Sequence, residues 1–454
     1  MMHFPGLPTC LVCAGLLLPA LAGCQQQEQS RAYPAPTVKG AIATPAVLAT
    51  IPPDAVLTPP GSSDPAKIVV NEEGKGAVYV AYRNGKSVVV HNGRSGPEYD
   101  KVANVSLSPD GQHVAYGVTV QEKQRRIVWD GREGDVYVDV WNPVFSPDNR
   151  HIAYIAQIGE DSHIVVDGSI TGAYPSLLSG NPVFAADASH VAFHLTPGAG
   201  GKGRLVVASR DLKHLKSWDC VNHEMVLDAD RTRAAAVVPA EGKQRAVIVS
   251  LLNPEEIKEG PLYEEVTGLT LSPDGASFAY VAVKEGRRYL VLDGKEEPLP
   301  EGEMRQPPVV KPGGKGAGII LTTGKGFRLH PGFGGGKDGR SYQEAAGLIY
   351  SKDGSQTAYL ARREKSIFAV VNGKESPGYD MIVTPKFSPD GRFLVCRARK
   401  DGRRFVVVLD RDGKVVREHP RYEMVFDVTF TPDGKSVAYG IKEGRQLAWE
   451  VEKL

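Results

Sequence analysis

Apolar and polar residues alternate along most of the chain in short runs that end at turn-forming residues. Typical runs are "HIAYIA" from His151 and "HIVVDG" from His163, the second of which ends in Asp-Gly. Alternation with a period of two predicts half-buried strands. Asn-Gly and Asp-Gly between such runs predict two-residue hairpins, because both residues tolerate positive φ. The chain is therefore predicted to be all-β.

One longer pattern recurs through the chain. In its clear form a Ser-Pro-Asp-Gly turn precedes a strand with a small residue and an aromatic residue, as in "LSPDGQHVAYGV" from Leu107 and "LSPDGASFAYVA" from Leu271. The acidic turn residue marks nine copies: Glu73, Asp110, Asp148, Asp187, Asp230, Asp274, Asp353, Asp390 and Asp433. A tenth copy has Gly313 or Gly314 in place of the acid.

The spacing of these copies predicts the architecture. A period of about 40 residues is the length of a four-stranded propeller blade. We expect a β-propeller of about ten blades over residues 67–454, with two smaller propellers as the alternative. The last unit supplies only three strand segments, and an open edge would pair with other chains. A strand near residues 46–51 is therefore expected to complete that blade and close the ring.

The Ser-Pro-Asp-Gly turn followed by Ala-Tyr resembles the TolB-type, or WD-like, propeller repeat of bacterial envelope proteins. The resemblance covers residues 67–454 and implies a non-enzymatic scaffold that binds a protein or peptide. Similar repeats occur in the propellers of prolyl-oligopeptidase-type peptidases and tricorn. A fold shared by both classes does not by itself assign an activity.

The first 24 residues have the pattern of a secretory leader. The apolar run from Leu11 to Ala22 is too short to span a bilayer. It ends in Leu-Ala-Gly before Cys24, which resembles the bacterial lipobox and implies that Cys24 is acylated after cleavage. No Lys or Arg precedes Cys24, which departs from the usual positive leader. An ordinary signal segment or a short buried segment is the alternative.

These features divide the N-terminal region. Residues 1–23 are assigned to a lipoprotein signal peptide and residues 24–66 to a lipid-anchored tether. Eight prolines between Gln25 and Lys67 predict a semi-rigid segment. Gln25, rather than Asp, follows Cys24. The lipoprotein-sorting pattern that this resembles implies the outer membrane, with the protein facing the periplasm.

Composition and charge narrow the class of partner. The chain has 454 residues, of which 24% are charged, and a formal net charge of +1. Broad recognition of nucleic acid by charge is therefore disfavoured. We expect an unidentified envelope protein or peptide as the partner, contact with a membrane through the lipid anchor, and no nucleic acid.

The repeated turn acids are the first candidates for catalysis. Paired carboxylates can act as general acid and base. Recurrence at the same turn favours hydrogen bonds to backbone N–H groups instead. The Gly-x-Ser-x-Gly turn of α/β-hydrolases does not occur in the sequence. We therefore expect no catalytic residue and no cofactor.

Three further stretches suggest ligand or metal binding. The glycine-rich residues 311–341 do not match phosphate-loop spacing, and a divergent blade is the preferred interpretation. His190 and His194 lie about 13 Å apart on one face of a predicted strand, too far to share a metal ion. Residues 410–413 lack the distal Glu of a calcium loop and are expected to form a turn.

Cys396 lies in "FSPDGRFLVCRAR", near Arg392, Arg397 and Arg399, which could lower the pKa of its thiol. Its place in the repeat argues otherwise. Cys396 stands six residues after the turn acid Asp390, where most other units have Tyr or Phe. A buried thiol at a packing position is expected to be inert.

The main alternative function is a saccharide- or peptide-binding propeller, possibly enzymatic, with its site in the central channel. It would need acids, tryptophans or histidines that converge on the channel. The four tryptophans are Trp129, Trp141, Trp218 and Trp449. So few provide little for an aromatic sugar platform.

Overall fold

A computed structural model describes eight stretches of the chain: residues 46–59, 66–71, 73–121, 124–174, 178–196, 203–221, 225–333 and 338–454. They all belong to one compact unit. Cys24, the signal segment and the first part of the tether lie outside these described residues. The described residues fold into ten four-stranded antiparallel sheets, which confirms the predicted all-β propeller and its count of ten blades.

The blades follow one another along the chain, and all blades except 7 and 10 order their strands as the sequence does. The strands of blades 1 to 3 are β2 (Ile68–Val70), β3 (Ala77–Arg83), β4 (Lys86–His91), β5 (Arg94–Tyr99), β6 (Val102–Leu107), β7 (Val114–Gln121), β8 (Gln124–Trp129), β9 (Arg132–Glu133), β10 (Asp139–Phe145), β11 (Ile152–Ile158), β12 (Asp161–Val166) and β13 (Ser169–Ile170). Those of blades 4 to 6 are β14 (Leu178–Phe184), β15 (His190–Leu195), β16 (Gly203–Ser209), β17 (Leu215–Cys220), β18 (Val226–Leu227), β19 (Arg233–Ala240), β20 (Lys243–Ser250), β21 (Ile257–Glu259), β22 (Glu265–Leu271), β23 (Phe278–Lys284), β24 (Arg287–Leu292) and β25 (Lys295–Pro298).

The second half of the ring contains the one irregular blade. The elements of blades 7 and 8 are β26 (Glu303–Met304), β27 (Val309–Val310), the 3₁₀ turn η1 (Pro312–Gly314), β28 (Ala317–Thr323), β29 (Gly326–His330), β30 (Glu344–Tyr350), β31 (Thr357–Arg363), β32 (Ser366–Val371) and β33 (Lys374–Glu375). Those of blades 9 and 10 are β34 (Met381–Phe387), β35 (Phe393–Lys400), β36 (Arg403–Asp410), β37 (Val415–Glu418), β38 (Met424–Phe430), β39 (Ser436–Glu443), β40 (Gln446–Lys453) and β1 (Ala46–Thr50).

The ten blades form one closed ring. First strands of neighbouring blades contact each other, as β6 does β10 and β30 does β34, so the first strands lie innermost. Apolar clusters join successive blades, and two clusters join blade 10 to blade 1. One continuous ring rules out the alternative of two smaller propellers.

A strand from the tether completes the last blade, as the sequence predicts. In β1, Ala46 pairs with Trp449 and Thr50 with Gln446 on β40. The backbone N–H of Ile51 donates to the carbonyl of Arg445 at 2.7 Å. Ile51 is buried in a cluster with Tyr79 of blade 1. Strand β1 therefore holds the first and last blades together.

Blade 7 departs from the repeat. Its first strand is broken into β26 and β27, which both pair with β28. Pro307 and Pro308 stand between the two pieces, and neither can donate a ladder hydrogen bond. Strand β29 pairs with β28, and the described residues between β29 and β30 add no further strand to this sheet. The divergence predicted for this glycine-rich stretch is confirmed.

An aromatic position repeats in the core of the blades. It lies six residues after the turn acid, and its occupants are buried in nine blades: Tyr79, Tyr116, Tyr154, Phe193, Ala236, Tyr280, Tyr359, Cys396 and Tyr439. A tyrosine from the preceding blade's linker packs edge-on against several of them. The rings of Tyr263 and Tyr280, for example, are 5.8 Å apart. Such pairs add about 0.5–1.5 kcal/mol beyond their burial, so they fasten each blade to the next.

Candidate functional site

The loops of the ring fall on two faces. Because adjacent strands are antiparallel, the turns between first and second strands share a face with those between third and fourth strands. In blade 2 these are residues 108–113 and 130–131, and we call this the acid-turn face. The opposite face carries the turns between second and third strands and the linkers to the next blade, such as residues 134–138. We call it the linker face.

The turn acids make the backbone hydrogen bonds that their recurrence predicts. Asp110 Oδ1 accepts from the Ser108 hydroxyl at 2.5 Å and from the backbone N–H of Gln112 at 3.0 Å. The Ser108 hydroxyl oxygen accepts in turn from the N–H of His113 at 2.9 Å. The acids that bond the N–H two residues further on in the same way are Asp148, Asp187, Asp274, Asp353, Asp390 and Asp433.

In two blades a different residue accepts the hydrogen bonds from the backbone N–H groups of this turn. In blade 1, Asn71 Oδ1 accepts from the N–H of Gly76 at 2.9 Å, while the marker Glu73 forms an ion pair with Lys75. In blade 5, Asp228 Oδ1 accepts from the N–H of Arg233 at 3.0 Å. Asn71 and Asp228 stand where other blades have Ser, and their side chains are long enough to reach the N–H groups directly.

The turn bonds make part of the stability depend on pH. Hydrogen bonds from Ser351 and Ser388 are the main cause that holds the pKa of Asp353 and of Asp390 at about 2, below the ordinary 3.8. A lowered pKa in the folded state stabilises the fold above the unfolded pKa, and this contribution is lost as pH falls from about 4 to about 2. We expect the thermal midpoint of the wild type to fall more steeply over this range than that of an Asp353→Asn/Asp390→Asn variant. Equal slopes would contradict the assignment.

Two histidine–aspartate pairs on the acid-turn face were not predicted. Asp130 Oδ1 accepts from the N–H of Val114 at 2.9 Å, and its Oδ2 lies 2.7 Å from His113 Nδ1. In the next blade Asp167 bonds Ile152 and His151 at 3.0 and 2.7 Å. Asn92 makes the backbone bond in blade 1. In blades 1 to 3 the Asx side chain of the hairpin turn therefore fastens the second strand. In blades 2 and 3 the histidine adds a second bond to the same side chain.

Among the described residues, open cavities lie on the same face. One, of about 620 Å³, lies between blades 3 and 4 and is lined by His151, Asp167, Asp187, Ser189, Arg210 and Asp211, among others. A second, of about 360 Å³, lies between blades 2 and 3 and includes His113, Trp129 and Arg132. Both are lined mainly by polar side chains, so they could take a small polar ligand.

Cys396 occupies the buried packing position of blade 9, as predicted. It is fully buried, and burial raises the pKa of its thiol far above the ordinary range. Two of the nearby arginines have other partners. Arg392 Nε donates to Asp390 Oδ2 at 2.5 Å, and Arg397 Nε donates to the Thr384 hydroxyl oxygen at 2.9 Å.

Native Cys396 is expected to resist alkylation. The nucleophile is the thiolate, and burial both blocks access and disfavours ionisation. Iodoacetamide at about pH 8 should leave Cys396 unmodified in the folded protein and modify it fully in denaturant, as read by peptide mass spectrometry. Rapid modification of Cys396 in the folded protein would contradict a packing role.

A second thiol is paired with a histidine that the sequence did not connect to it. Cys220 Sγ lies 3.1 Å from His194 Nε2, and both side chains are buried. Burial raises the pKa of Cys220 to about 11. His190 instead bonds the Ser189 hydroxyl through Nδ1 at 2.8 Å. The two histidines lie on one strand, as predicted, and have different partners.

The remaining predicted stretches also have structural roles. Asp410 Oδ1 accepts from the N–H groups of Asp412 and Lys414 at 2.8 and 2.9 Å, which confirms a turn. In the glycine-rich stretch, Arg328 forms an ion pair with Asp338 at 3.1 Å. Lys337 lies outside the described residues.

No group of three or more His, Cys, Asp or Glu side chains is placed to hold a metal ion within the described residues. In the part of the chain that the structure describes, no helix is long and apolar enough to cross a bilayer.

The linker face has its own repeated bond. The residue after the linker tyrosine is an acid or amide in several blades, and it accepts from the turn of the next blade. Glu264 Oε1 accepts from the N–H of Glu285 at 2.8 Å, and Asp380 Oδ2 from that of Asp401 at 2.9 Å. These acids support the second-to-third turns, so they too are structural.

Comparison with known proteins gives structural likeness only. No family model matches the sequence, and no curated protein is similar enough to count as a relative. TolB from Acinetobacter baumannii is 15% identical over 60% of this chain and 80% of its own, with a TM-score of 0.30. A eukaryotic initiation factor is 13% identical over 81% and 93%, with a TM-score of 0.41. The GH74 enzyme of Niastella koreensis is 9% identical over 82% and 68%, with a TM-score of 0.29.

Proposed function

We propose that the protein is a lipid-anchored scaffold of the bacterial envelope that binds a protein or peptide partner and catalyses no reaction. The supporting observation is that the turn acids are held in hydrogen bonds repeated from blade to blade and that Cys220 and Cys396 are buried. Serine bonds lower the pKa of Asp353 and Asp390, and burial raises that of Cys220 and Cys396. A general acid and a nucleophile at neutral pH need the opposite shifts.

The proposed anchor is Cys24, acylated after cleavage of residues 1–23. Strand β1 begins at Ala46 and belongs to blade 10. Residues 25–45 are then the only link between lipid and ring, and at about 3.3 Å per residue they reach at most about 70 Å. The tether would present the ring close to the membrane, and Gln25 favours the outer membrane, facing the periplasm.

Membrane fractionation tests the anchor. A Cys24→Ala variant should leave the membrane fraction, because no lipid can be attached, whereas the matched Cys13→Ala control should stay in it. Recovery of Cys24→Ala protein in the membrane fraction would overturn the lipid anchor.

Crosslinking in intact cells, read by mass spectrometry, tests the scaffold. A binding scaffold should yield a specific protein adduct that excess unlabelled protein competes away. Recovery of no specific adduct, together with turnover of a glycan or peptide by the pure protein, would overturn the proposal.

A second candidate function is binding of a saccharide or peptide, with or without catalysis. The observation in its favour is the polar cavity of about 620 Å³ between blades 3 and 4. It lies on the acid-turn face, between two blades. Calorimetric titration with soluble saccharides and short peptides, with Arg210→Ala as the matched variant, tests it. Binding that the variant loses would favour this function.

A further inference from the structure

The repeat makes equivalent positions of different blades directly comparable. One such position ends the second strand on the linker face, four residues after the buried aromatic position. Its occupants in blades 1, 6, 8, 9 and 10 are charged: Arg83, Lys284, Arg363, Lys400 and Glu443. In blades 2 and 3 the position holds Val120 and Ile158, which are 37% and 44% exposed.

The linker between blades 2 and 3 also has an aliphatic residue where other linkers have a charged one. The residue after its tyrosine is Val138, which donates its N–H to Gln157 at 3.0 Å. Glu264 and Asp380 make the equivalent backbone bond in their linkers, so the three positions correspond. Val138 therefore stands where other linkers place an acid. It is 44% exposed, and Val136, two residues earlier, is 41% exposed.

Backbone pairing places these four residues in one sector of the linker face. Tyr137 pairs with Arg125, which pairs with Thr119 on the next strand. At about 4.8 Å between strands, the backbone of Val120 lies about 10 Å from that of Val138. The bond from Val138 to Gln157 places Val138 beside Ile158. We call Val120, Val136, Val138 and Ile158 the apolar patch.

The patch is held rigid. Tyr137, between its two valines, is buried and exchanges backbone hydrogen bonds with Arg125 at 2.9 and 3.0 Å. Its ring packs edge-on against that of Tyr154 at 6.3 Å. The valines are therefore fixed before any partner arrives, which lowers the entropic cost of binding.

Acids outnumber bases around the patch. Its rim holds Asp135, Asp139, Glu160 and Asp161, with Lys101 and Arg125 as the nearby bases. Arg125 lies 3.9 Å from Asp139, an exposed pair of little strength. No cation among the described residues forms an ion pair with the other three acids.

The local charge is specific to this sector of the linker face. The turn of blade 3 reads Gly-Glu-Asp over residues 159–161. Equivalent turns elsewhere on this face carry a base, at Lys86, Arg287, Lys365, Arg403 and Arg445. A partner with basic residues would meet net attraction at blade 3, whereas acids such as Glu285, Glu364 and Asp401 offset the base in the other turns.

We propose that the apolar patch is the docking surface for a partner segment that combines aliphatic and basic residues. The aliphatic side chains of the segment cover the patch, and its lysines or arginines pair with the acids of the rim. This inference rests on the proposed scaffold function and adds the face of the ring and the chemistry of the partner.

A labelled peptide provides the test. The probe is a fluorescein-tagged Lys-Leu repeat, compared with Glu-Leu and Lys-Ser repeats of equal length, with affinity read by fluorescence polarisation. The variant is Val138→Asp/Ile158→Lys, which installs residue types that other blades hold at these positions and should therefore fold. The control is Glu264→Asp/Lys284→Arg at the equivalent positions of blade 6.

The Lys-Leu peptide should bind the wild type and the control equally and the patch variant at least about tenfold more weakly, since the variant loses two aliphatic side chains and places a lysine next to Glu160 and Asp161. The two comparison peptides should bind the wild type at least about tenfold more weakly than Lys-Leu. Equal binding of Lys-Leu to the wild type and the patch variant would overturn the proposal, as would equal binding of Glu-Leu.

Three further outcomes separate this inference from the scaffold function. Dimerisation in sedimentation equilibrium that Val138→Asp/Ile158→Lys abolishes would assign the patch to a second copy of the chain and overturn the heterologous partner. A specific adduct in cells, without discrimination among the peptides, would support the scaffold function and overturn the docking role of the apolar patch. Discrimination without any adduct would support the patch and contradict the scaffold in cells.

Discussion

Deleting residues 46–55 is expected to open the ring between blades 1 and 10. The deletion removes β1, leaves the outer edge of β40 unpaired and exposes the cluster that Ile51 and Ala55 share with Tyr79. Loss of one buried aliphatic side chain alone costs about 2–5 kcal/mol. We expect the free energy of unfolding to fall by about 5 kcal/mol or more.

The deletion should also change the association state, because an unpaired edge strand pairs with other chains. Denaturant unfolding and sedimentation velocity measure the two effects. Deletion of residues 26–35, which removes a similar length of the tether and leaves β1 in place, is the matched control and should change neither. An unchanged monomer with wild-type stability after deletion of residues 46–55 would show that β1 does not close the ring.

Gly74→Ala is expected to weaken the same closure from the side of blade 1. A Cβ at Gly74 would lie 2.2 Å from the indole ring of Trp449, which is fully buried at the junction with blade 10. The indole cannot shift without disturbing its cluster. We expect a loss of about 3 kcal/mol or more, by analogy with overpacked cores and with added strain at φ +65°.

A double-mutant cycle separates the clash from the backbone strain. In a Trp449→Ala background, which itself costs about 3–5 kcal/mol, Gly74→Ala should cost only the strain of about 1 kcal/mol. Gly85→Ala is the matched control for strain, since Gly85 has φ +74° and nothing within 4 Å of the added Cβ. Additive costs for Gly74→Ala and Trp449→Ala would contradict packing of the indole on Gly74.

The sequence predicts features that one repeat unit determines locally. Positive φ at Asn92, Asp167 and Asn372 follows from the hairpin dipeptides. The buried position of Cys396 follows from its distance to the turn acid. Even the role of β1 could be predicted, because the last unit lacks one strand and an open edge is unfavourable.

The features that the sequence did not predict depend on register between strands that are distant along the chain. His194 meets Cys220 across blade 4, and no spacing rule joins the two residues. Glu452 accepts hydrogen bonds from Tyr439 at 2.6 Å and His419 at 2.8 Å, between two blades. The apolar patch could not be predicted either, because aliphatic residues in a strand-rich sequence are first assigned to the core.

The claim that the ring is a binding platform is tested most directly by site-specific photocrosslinking of the anchored protein in intact cells. A photoreactive residue is placed at equivalent positions of three blades, Ile158, Lys284 and Lys400. A platform with the proposed docking surface predicts one discrete protein adduct from Ile158, lost when Val138→Asp is added, and little from Lys284 or Lys400. No protein adduct from any of the three positions, with turnover of a glycan or peptide by the purified protein, would contradict it.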